Sequence, residues 1–515
     1  MENRVIIIGA GAAGLSAAIE LAKNNVSSFL ISDMPSQRAQ SIMAQGGINA
    51  AYYTKNDSYQ EHALETFEAG RKIADYKAIL GMCKCAPGII KDLNRWGMSF
   101  SLDEEGKLAT RAFGGQNKKR TFYASSSTGR QLMHTLMDHA RKYEALGLIK
   151  CWSNTSFVRI LKELNVAYGC QVYHHNTHTT EVVYGKIIVA SGGLNGLFNN
   201  STGSLQNTGL VSANLFKSGV RFSNLEFIQY HPTTTKLYGK NMLITEAARG
   251  EGGRLFALKK GKPYYFMEEK YPEKGNLMSR DVVAKEEYEY TSLGQQIYLD
   301  LSHLGKDVLN TKLSSLVLDC KEFLHMDPSQ EPICVEPGIH YFMGGIWTDI
   351  NHRTSMQNVY AAGECACQYH GANRLGGNSL LGAIYGGRVA AKSCMKDEYT
   401  YRCVDEIECS ACEDMDSILQ MRKILEKGMG MKRNHDELLD CMTQMSSLYD
   451  QTKDERILLA KAMLMCASER KESRGCHIRS DYPSENEKFE KQSVVQYKDG
   501  KIYIEFKKAG EVNGN

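Results

Sequence analysis

RVIIIGAGAAGLSAAIELAK, residues 4–23, decides the fold. Arg4 to Ile8 is a short apolar, β-branched run, Gly9, Gly11 and Gly14 follow in G-x-G-x-x-G spacing, and Leu15 to Lys23 has helical periodicity. Phe29-Leu30-Ile31 is the next strand candidate, so the chain opens β–turn–α–β. Each glycine has its own task in such a unit. Gly9 allows the tight turn, Gly11 lets backbone N–H groups approach a pyrophosphate at the positive helix end, and Gly14 permits close helix–strand packing. A lone motif of this kind is weak. Here it follows a strand and opens a helix, with Ala13 inside the turn, and it reads as a dinucleotide cradle. Asp33, 19 residues beyond Gly14, stands near where an acidic group accepts from a ribose hydroxyl, with Ser32 as the alternative.

The rest of the composition sets the class. The chain has 515 residues, 62 Lys+Arg against 59 Asp+Glu and a net charge of +3. At roughly 150 residues per domain this suggests two to four domains. Hydrophobic residues at 42% and charged residues at 23% exclude disorder as the main state. So small a net charge leaves no footprint for nucleic acid or an anionic membrane surface. Fifteen cysteines, an odd and scattered set, read as reduced thiols in the cytoplasm, many of them small buried hydrophobes (Cys83, Cys170, Cys320, Cys394). Cys409 and Cys412 have C-x-x-C spacing but no second pair nearby, and read as incidental. Val5 to Ala22 is nearly all apolar or small, yet Glu2 and the single Arg4 make a poor signal-peptide start, and the glycines explain the stretch better. No other run approaches 18 apolar residues, so no membrane insertion is expected.

The predicted fold class is α/β: a Rossmann-like dinucleotide domain with an inserted α+β capping domain and a C-terminal helical region. Residues 1–223 form the first part of the dinucleotide domain, with helices at 58–68 and 77–96 and a buried strand at 186–190. A Lys-, Glu- and Tyr-rich shift marks the cap at 224–337. Residues 338–395 return to the dinucleotide domain, 396–475 are helical, and 476–515 form a tail with a hairpin around Asp499-Gly500. Because the candidate site residues lie on both sides of the insert, the cap is expected to close over them and exclude water.

Further glycine-bearing elements lie downstream: Ser41-Ile-Met-Ala-Gln45-Gly46-Gly47, Ala190-Ser-Gly192-Gly193 and Tyr360-Ala-Ala-Gly363-Glu364, the last followed by Asn378-Ser379-Leu380-Leu381. An elongated dinucleotide with a tricyclic head needs such repeated close approaches of backbone. Five more motifs follow in order: Gln229-Tyr-His231-Pro-Thr, Thr245-Glu246-Ala-Ala-Arg249-Gly-Glu-Gly, Ser279-Arg280-Asp281, His340-Tyr-Phe-Met-Gly-Gly and His370-Gly-Ala-Asn-Arg374-Leu. Together these resemble the succinate dehydrogenase/fumarate reductase flavoprotein family, which also contains L-aspartate oxidase. The resemblance runs from about residue 4 to 395 and resumes at Arg470 to His477.

The resemblance implies FAD, held by the residues named in these glycine elements, including Ser41, Gln45, Gly46, Gly47, Ala190, Gly192, Glu364, Ser379 and Leu380. It implies hydride exchange between flavin N5 and a four-carbon dicarboxylate. Arg374, His231 and His340 are cationic or donor-capable groups that can hold carboxylates, and Thr245 adds a hydroxyl. In the family the residue matching Arg280 donates the proton, relayed through those matching Glu246 and Arg249. Arginine is a poor acid, and two arginines with a carboxylate in one desolvated cleft can depress one guanidinium.

Departures from the family pattern narrow the reading. Members of membrane complexes attach FAD through a histidine six residues before the first glycine of the element at Gly46, and that position is Gln40. Non-covalent FAD is therefore expected, with a lower potential that disfavours succinate oxidation. Phe113, before Gly114-Gly115, matches the aromatic residue of fumarate reductases and succinate dehydrogenases, where aspartate oxidases carry a glutamate. Leu210 and Gly382 replace residues that are usually acidic. Fumarate reduction is favoured, with L-aspartate oxidation in NAD synthesis the alternative, and an FAD-binding electron-transfer or assembly subunit the reading from another class. The electron donor or acceptor is unidentified; an iron–sulfur protein fits the resemblance, since this chain has no haem or iron–sulfur cysteine run of its own.

Overall fold

The computed structural model describes residues 4–125, 127–237, 239–404 and 414–511; Cys409 and Cys412 lie outside the described residues. Five parallel strands form the central sheet, in the order Val359–Ala361, Lys186–Val189, Val5–Ile8, Ser28–Ser32, Ile149–Ser153. All four side chains of Val5–Ile8 are buried, as expected of a parallel strand covered on both faces. The register sets Ile8 beside Val189 and Ile31, so the strands end level and their carboxyl ends share one edge. The helix Ala12–Lys23 rises from that edge and packs against the helix Asn378–Lys396.

Two helices read from the sequence are Tyr59–Ala69 and Tyr76–Arg95, capped by Ser58 and Asp75, whose side chains accept backbone N–H bonds. A three-stranded antiparallel sheet, Thr155–Glu163, Val166–His174 and Thr179–Tyr184, lies in the chain between Ile149–Ser153 and Lys186–Val189; its alternating pattern is legible in the sequence but had no place in the predicted order.

The inserted region is a six-stranded sheet that includes Ile228–Leu237, Ile333–Phe342 and Ile297–Asp300, with the helix Arg280–Thr291 against it. It has its own apolar core around Leu255, Phe266, Val283, Leu299 and Val335. It joins the base through two neighbouring crossings and through the backbone of Ser201 and Thr202, which meets Ile339. Phe222–Ser223 pairs with Gly345–Trp347 in a separate sheet, and a few residues on, Ile228–Leu237 pairs with Ile333–Phe342 in the cap sheet. A β-carbon on Gly344, in the return crossing, would lie 2.1 Å from the carbonyl oxygen of Asn224 in the outgoing one.

Helices Met415–Gly428, His435–Thr452 and Glu455–Glu469 make up the C-terminal helical region. The hairpin is Gln492–Lys498 with Lys501–Lys507, and Asp499 and Gly500 both have positive φ in its turn. Its first strand pairs with Phe222–Ser223, so the hairpin is an integral edge of the sheet beneath the cap.

Candidate active site

A cavity of about 1070 Å³ opens at the carboxyl edge of the central sheet and reaches under the inserted six-stranded sheet. Gly9 (φ 108°) turns the chain out of the first strand, and a β-carbon there would lie 2.2 Å from the Ala190 carbonyl oxygen. Gly14 is equally constrained, since its β-carbon would lie 1.9 Å from the Gly9 carbonyl oxygen. Ser41 Oγ accepts from the Ala12 backbone N–H at 3.2 Å, tying the second glycine element to the first helical turn. Ser32 Oγ donates to the Met34 carbonyl at 2.8 Å, leaving the exposed Asp33 carboxylate as the free acceptor beside it.

The cavity wall fits FAD. Gln45 Oε1 and Asn207 Nδ2 line it, buried and without a hydrogen-bond partner, and groups left so cost about 1–3 kcal/mol each unless a polar ligand meets them. Glu364 is half-buried on the same wall, its carboxyl turned inward to accept the Phe342 N–H at 3.1 Å, and desolvation raises that carboxyl to about 7 against the pull of that bond and of Arg374. Gln40 also lines the cavity, its Oε1 accepting the Ser204 N–H at 2.5 Å.

Under the inserted sheet, the buried groups converge. Arg280, at the start of its helix, donates from Nε to Glu246 Oε2 at 3.0 Å and from Nη1 to Gln229 Oε1 at 3.1 Å. Glu246 Oε1 accepts the Gly114 N–H at 3.2 Å and lies 3.4 Å from Arg249 Nη2. Arg249 Nη1 is anchored on the Asn276 carbonyl at 2.8 Å. His231 and His340 come from paired strands, with ring centroids 5.0 Å apart; irregular register on both sides of His231 re-aims its strand. Thr233 engages Nδ1 of His231, and Thr202 Oγ1 meets Nδ1 of His340 at 2.8 Å, so each ring keeps Nε2 for a ligand. Arg374 lies 4.2 Å over the Tyr341 ring, buried, with Nε unpartnered and no ion pair among the described residues.

Gly376 brings backbone into the middle of this cluster. A β-carbon there would meet Glu246 Oε2 at 2.6 Å, the Phe113 ring at 2.8 Å and Arg280 Nη2 at 3.2 Å. Phe113 is 1% exposed and contributes no charge to the cavity.

Burial and neighbouring charge set the protonation states. Burial would raise the Glu246 carboxyl, but the charges of Arg280 and Arg249 and the hydrogen bonds from Arg280 and the Gly114 N–H more than offset it and hold it below its ordinary value. Burial, with Arg280 and His340, pushes His231 well below the ordinary imidazole range; burial, with Arg280 and Arg374, does the same to His340. Both are neutral near pH 7, so the cationic alternative drawn from the sequence is corrected: they are donors or acceptors only. Burial, then Arg280, lowers Arg374 to about 10, still a cation at neutral pH.

Nearly every residue singled out from the sequence meets in this one cavity. Gly9, Gly11, Ala13, Ser32, Asp33, Ser41, Gln45, Gly46, Gly47, Ala190, Gly192, Glu364, Ser379 and Leu380 line it, and so do Phe113, His231, Thr245, Glu246, Arg280, His340 and Arg374. Gly14 and Arg249 stand behind the wall, the first in helix packing and the second behind Glu246. Leu210 faces the cavity, whereas Gly382 does not and makes room for the Tyr369 ring. Sequence reasoning passed over Gln229, Thr202, Tyr341 and Gly376 as site residues. Gln229, Tyr341 and Gly376 lie in or beside quoted motifs, while Thr202 carries no local signal.

Residues 4–380 match a family described as FAD binding domain, and residues 454–511 one described as fumarate reductase flavoprotein C-term. The chain is 35% identical to the succinate dehydrogenase flavoprotein subunit of Bacillus subtilis, across 94% of this chain and 92% of that protein. It is 31% identical to an uncharacterised FAD-dependent oxidoreductase of Methanocaldococcus jannaschii, across 97% of each. The FrdA chain of E. coli quinol fumarate reductase superposes with a TM-score of 0.91 at 26% identity, covering 100% of this chain and 98% of that one.

Proposed function

The chain belongs to the FAD-binding flavoprotein family of succinate dehydrogenases and fumarate reductases, and on that premise we propose that this FAD-dependent oxidoreductase reduces fumarate to succinate. The observation that carries this reading is Arg374. A guanidinium buried without an ion pair costs several kcal/mol unless an anion joins it, and this one faces the same cavity as Arg280 and two neutral histidines. Cations separated by donors suit a small dianion.

FAD, when bound, supplies the hydride. The protein's part is to hold and polarise the dicarboxylate and to deliver the proton. Arg374 pairs with one carboxylate, and His231, His340 and Thr245 donate to the oxygens, withdrawing charge from the double bond. Phe113 covers the alkene carbons and leaves no counter-charge for an ammonium. Arg280 gives its proton to the carbon next to the one that takes the hydride, and Glu246 and Arg249 restore it. With Gln40 at the tether position, FAD is held non-covalently.

The same reading makes residues 224–337 a cap that closes on the bound dicarboxylate, between residues 1–223 and 338–395 of the FAD domain, with 396–475 helical and 476–515 following. Relatives carry the name of subunits, and the electron partner here is a separate protein of iron–sulfur type, met in the cytoplasm. No helix among the described residues is long and apolar enough to cross a membrane.

Anaerobic turnover of fumarate with reduced viologen, run beside aerobic peroxide release from L-aspartate, tests the assignment. Fumarate reduction well above aspartate oxidation is expected; the reverse order overturns it.

A further inference from the structure

Between the helices Tyr59–Ala69 and Tyr76–Arg95 the chain turns at Gly70, and the next two residues, Arg71 (φ 56°) and Lys72 (φ 63°), both hold left-handed backbone. Neither is a glycine, and a side chain with a β-carbon occupies that region at a cost. The turn rests on the segment that leads to Arg374. The Ala372 N–H donates to the Gly70 carbonyl at 2.9 Å, and a β-carbon on Gly371 would lie 2.3 Å from the same oxygen. Arg474 Nη1 donates to the Arg71 carbonyl at 3.3 Å. From this turn Arg71 reaches the inserted region, where its Nη2 donates to Asp281 Oδ2 at 2.6 Å. Asp281 is buried, follows Arg280 in the first turn of its helix, and has Arg71 as its one ion-pair partner among the described residues.

A second route leads from the same carboxylate back to Arg280. Asp281 Oδ1 accepts from Ser279 Oγ at 2.5 Å and from Asn373 Nδ2 at 3.1 Å. Asn373 Oδ1 accepts from Gln229 Nε2 at 2.9 Å, and Gln229 Oε1 accepts from Arg280 Nη1 at 3.1 Å. Guanidinium groups only donate and a carboxylate only accepts, so both amides can face one way only. The other N–H of Gln229 Nε2 goes to the Arg374 carbonyl at 2.8 Å. Gln229 and Asn373 are buried as well.

Resting on the function proposed above, we propose that Arg71 is a positioning residue, a latch from the turn at 70–72 that fixes Asp281 and, through it, the guanidinium of Arg280 against the dicarboxylate. Arg71 does not line the cavity, and neither do Asp281, Asn373 and Gln229, so the chain transmits position and carries no proton. Without Arg71 the buried Asp281 carboxylate loses its cation and must turn toward water or another donor. Asn373, Gln229 and the helix turn that bears Arg280 then shift with it. Glycine at 71 would relieve the left-handed backbone, so the arginine is kept for what its side chain does.

The test is Arg71→Gly in the holoenzyme, which relieves the turn and removes the latch. Fumarate kcat should fall about tenfold, while the Kd for succinate, carried by Arg374 and the histidines, stays within about twofold. The contact is a single N–H, which an ammonium can also make, so Arg71→Lys should regain at least about half of wild-type turnover. Asp281→Asn should lower kcat by at least as much as Arg71→Gly, and the double variant should lose less than about twofold more, since both changes remove one contact. Independently of turnover, amide hydrogen exchange in the first turn of the helix Arg280–Thr291 should rise about fivefold or more in Arg71→Gly. Turnover of Arg71→Gly within about twofold of wild type, unchanged exchange in that turn, no recovery in Arg71→Lys, or losses that multiply in the double variant would overturn the proposal. Should Arg71→Gly not fold, Arg71→Asn, which also accepts left-handed backbone, takes its place with the same outcomes. Wild-type protein that turns over neither fumarate nor succinate defeats the proposed function instead, and the exchange measurement then decides the latch alone.

Discussion

Gly376 stands directly against Glu246: a β-carbon at 376 would lie 2.6 Å from Glu246 Oε2. The same β-carbon would crowd Phe113 and Arg280, so one methyl group disturbs the proton donor, its carboxylate and the apolar cover together. Gly376→Ala should lower fumarate turnover by about a hundredfold, the scale of an ångström's misplacement, while the protein folds and retains FAD. Steady-state kinetics beside flavin content decide it. Unchanged turnover would mean that the cluster tolerates displacement.

Arg280 and Arg374 should separate chemistry from binding. Arg280→Lys keeps the charge but loses the fork that grips Glu246 and Gln229, and turnover should fall by roughly a thousandfold or more with little change in dicarboxylate affinity. Arg374→Gln should weaken binding first, raising KM by at least about tenfold. Flavin spectral titration with succinate measures affinity apart from turnover, and equal effects of both variants on both quantities would refute the division.

Phe113→Glu should act on selection. A carboxylate in that buried wall repels fumarate and costs desolvation, so fumarate kcat/KM should drop by about a hundredfold while L-aspartate gains a partner for its ammonium. If aspartate remains unreactive while fumarate activity survives intact, Phe113 is not the selector.

Gln40 predicts the form in which flavin leaves the protein. Its amide is already held by Ser204, and acid precipitation should release all the yellow colour into the supernatant. Colour that stays in the pellet would show a covalent link elsewhere.

The pH dependence of binding follows from the neutral histidines. His231 and His340 are held well below the ordinary imidazole range by burial and neighbouring cations, so neither loses a proton near neutrality. Read from the flavin spectrum in a Glu364→Gln background, which removes a cavity carboxyl raised to about 7, the Kd for succinate should therefore stay flat from roughly pH 6 to 8. A histidinium site would instead weaken by up to about tenfold per unit above its pKa.

Much of this site was legible in the sequence because its residues are backbone specialists. Gly9, Gly11 and Gly14 encode a turn, Asp499 and Gly500 encode another, and such signals are local. The motif residues His231, Glu246, Arg280 and Arg374 could be named through family resemblance, but not their company. Gln229 reaches Arg280 across 51 positions and Gly114 reaches Glu246 across 132, and no spacing rule announces either contact. The charge of His231 was illegible for a different reason: it depends on burial and on three cationic or titratable neighbours that only the folded chain assembles. Glu287, in a polar-looking stretch Lys285-Glu286-Glu287, reads as a solvated helix face until the structure buries it.

The two crossings between base and cap have a mechanical consequence. The strands leave the base paired through Phe222 and Ser223, arrive in the cap paired through Ile228, and touch in between at Asn224 and Gly344. Pulling the inserted sheet away in translation would have to break paired strands on one side or the other, and turning it about 224–227 and 343–344 would also have to part Ile339 and Asn241 from Ser201 and Thr202, to which they are joined by backbone hydrogen bonds. The backbone attachment is therefore a brace at two places, the paired crossings and the contact of Ser201 and Thr202 with Ile339. Phe342, at the end of the returning strand, has its N–H bonded to Glu364 on the cofactor wall, so one end of the brace is tied to the floor of the site and His340, two residues away and bonded to Thr202, is held beside the cofactor wall from both directions.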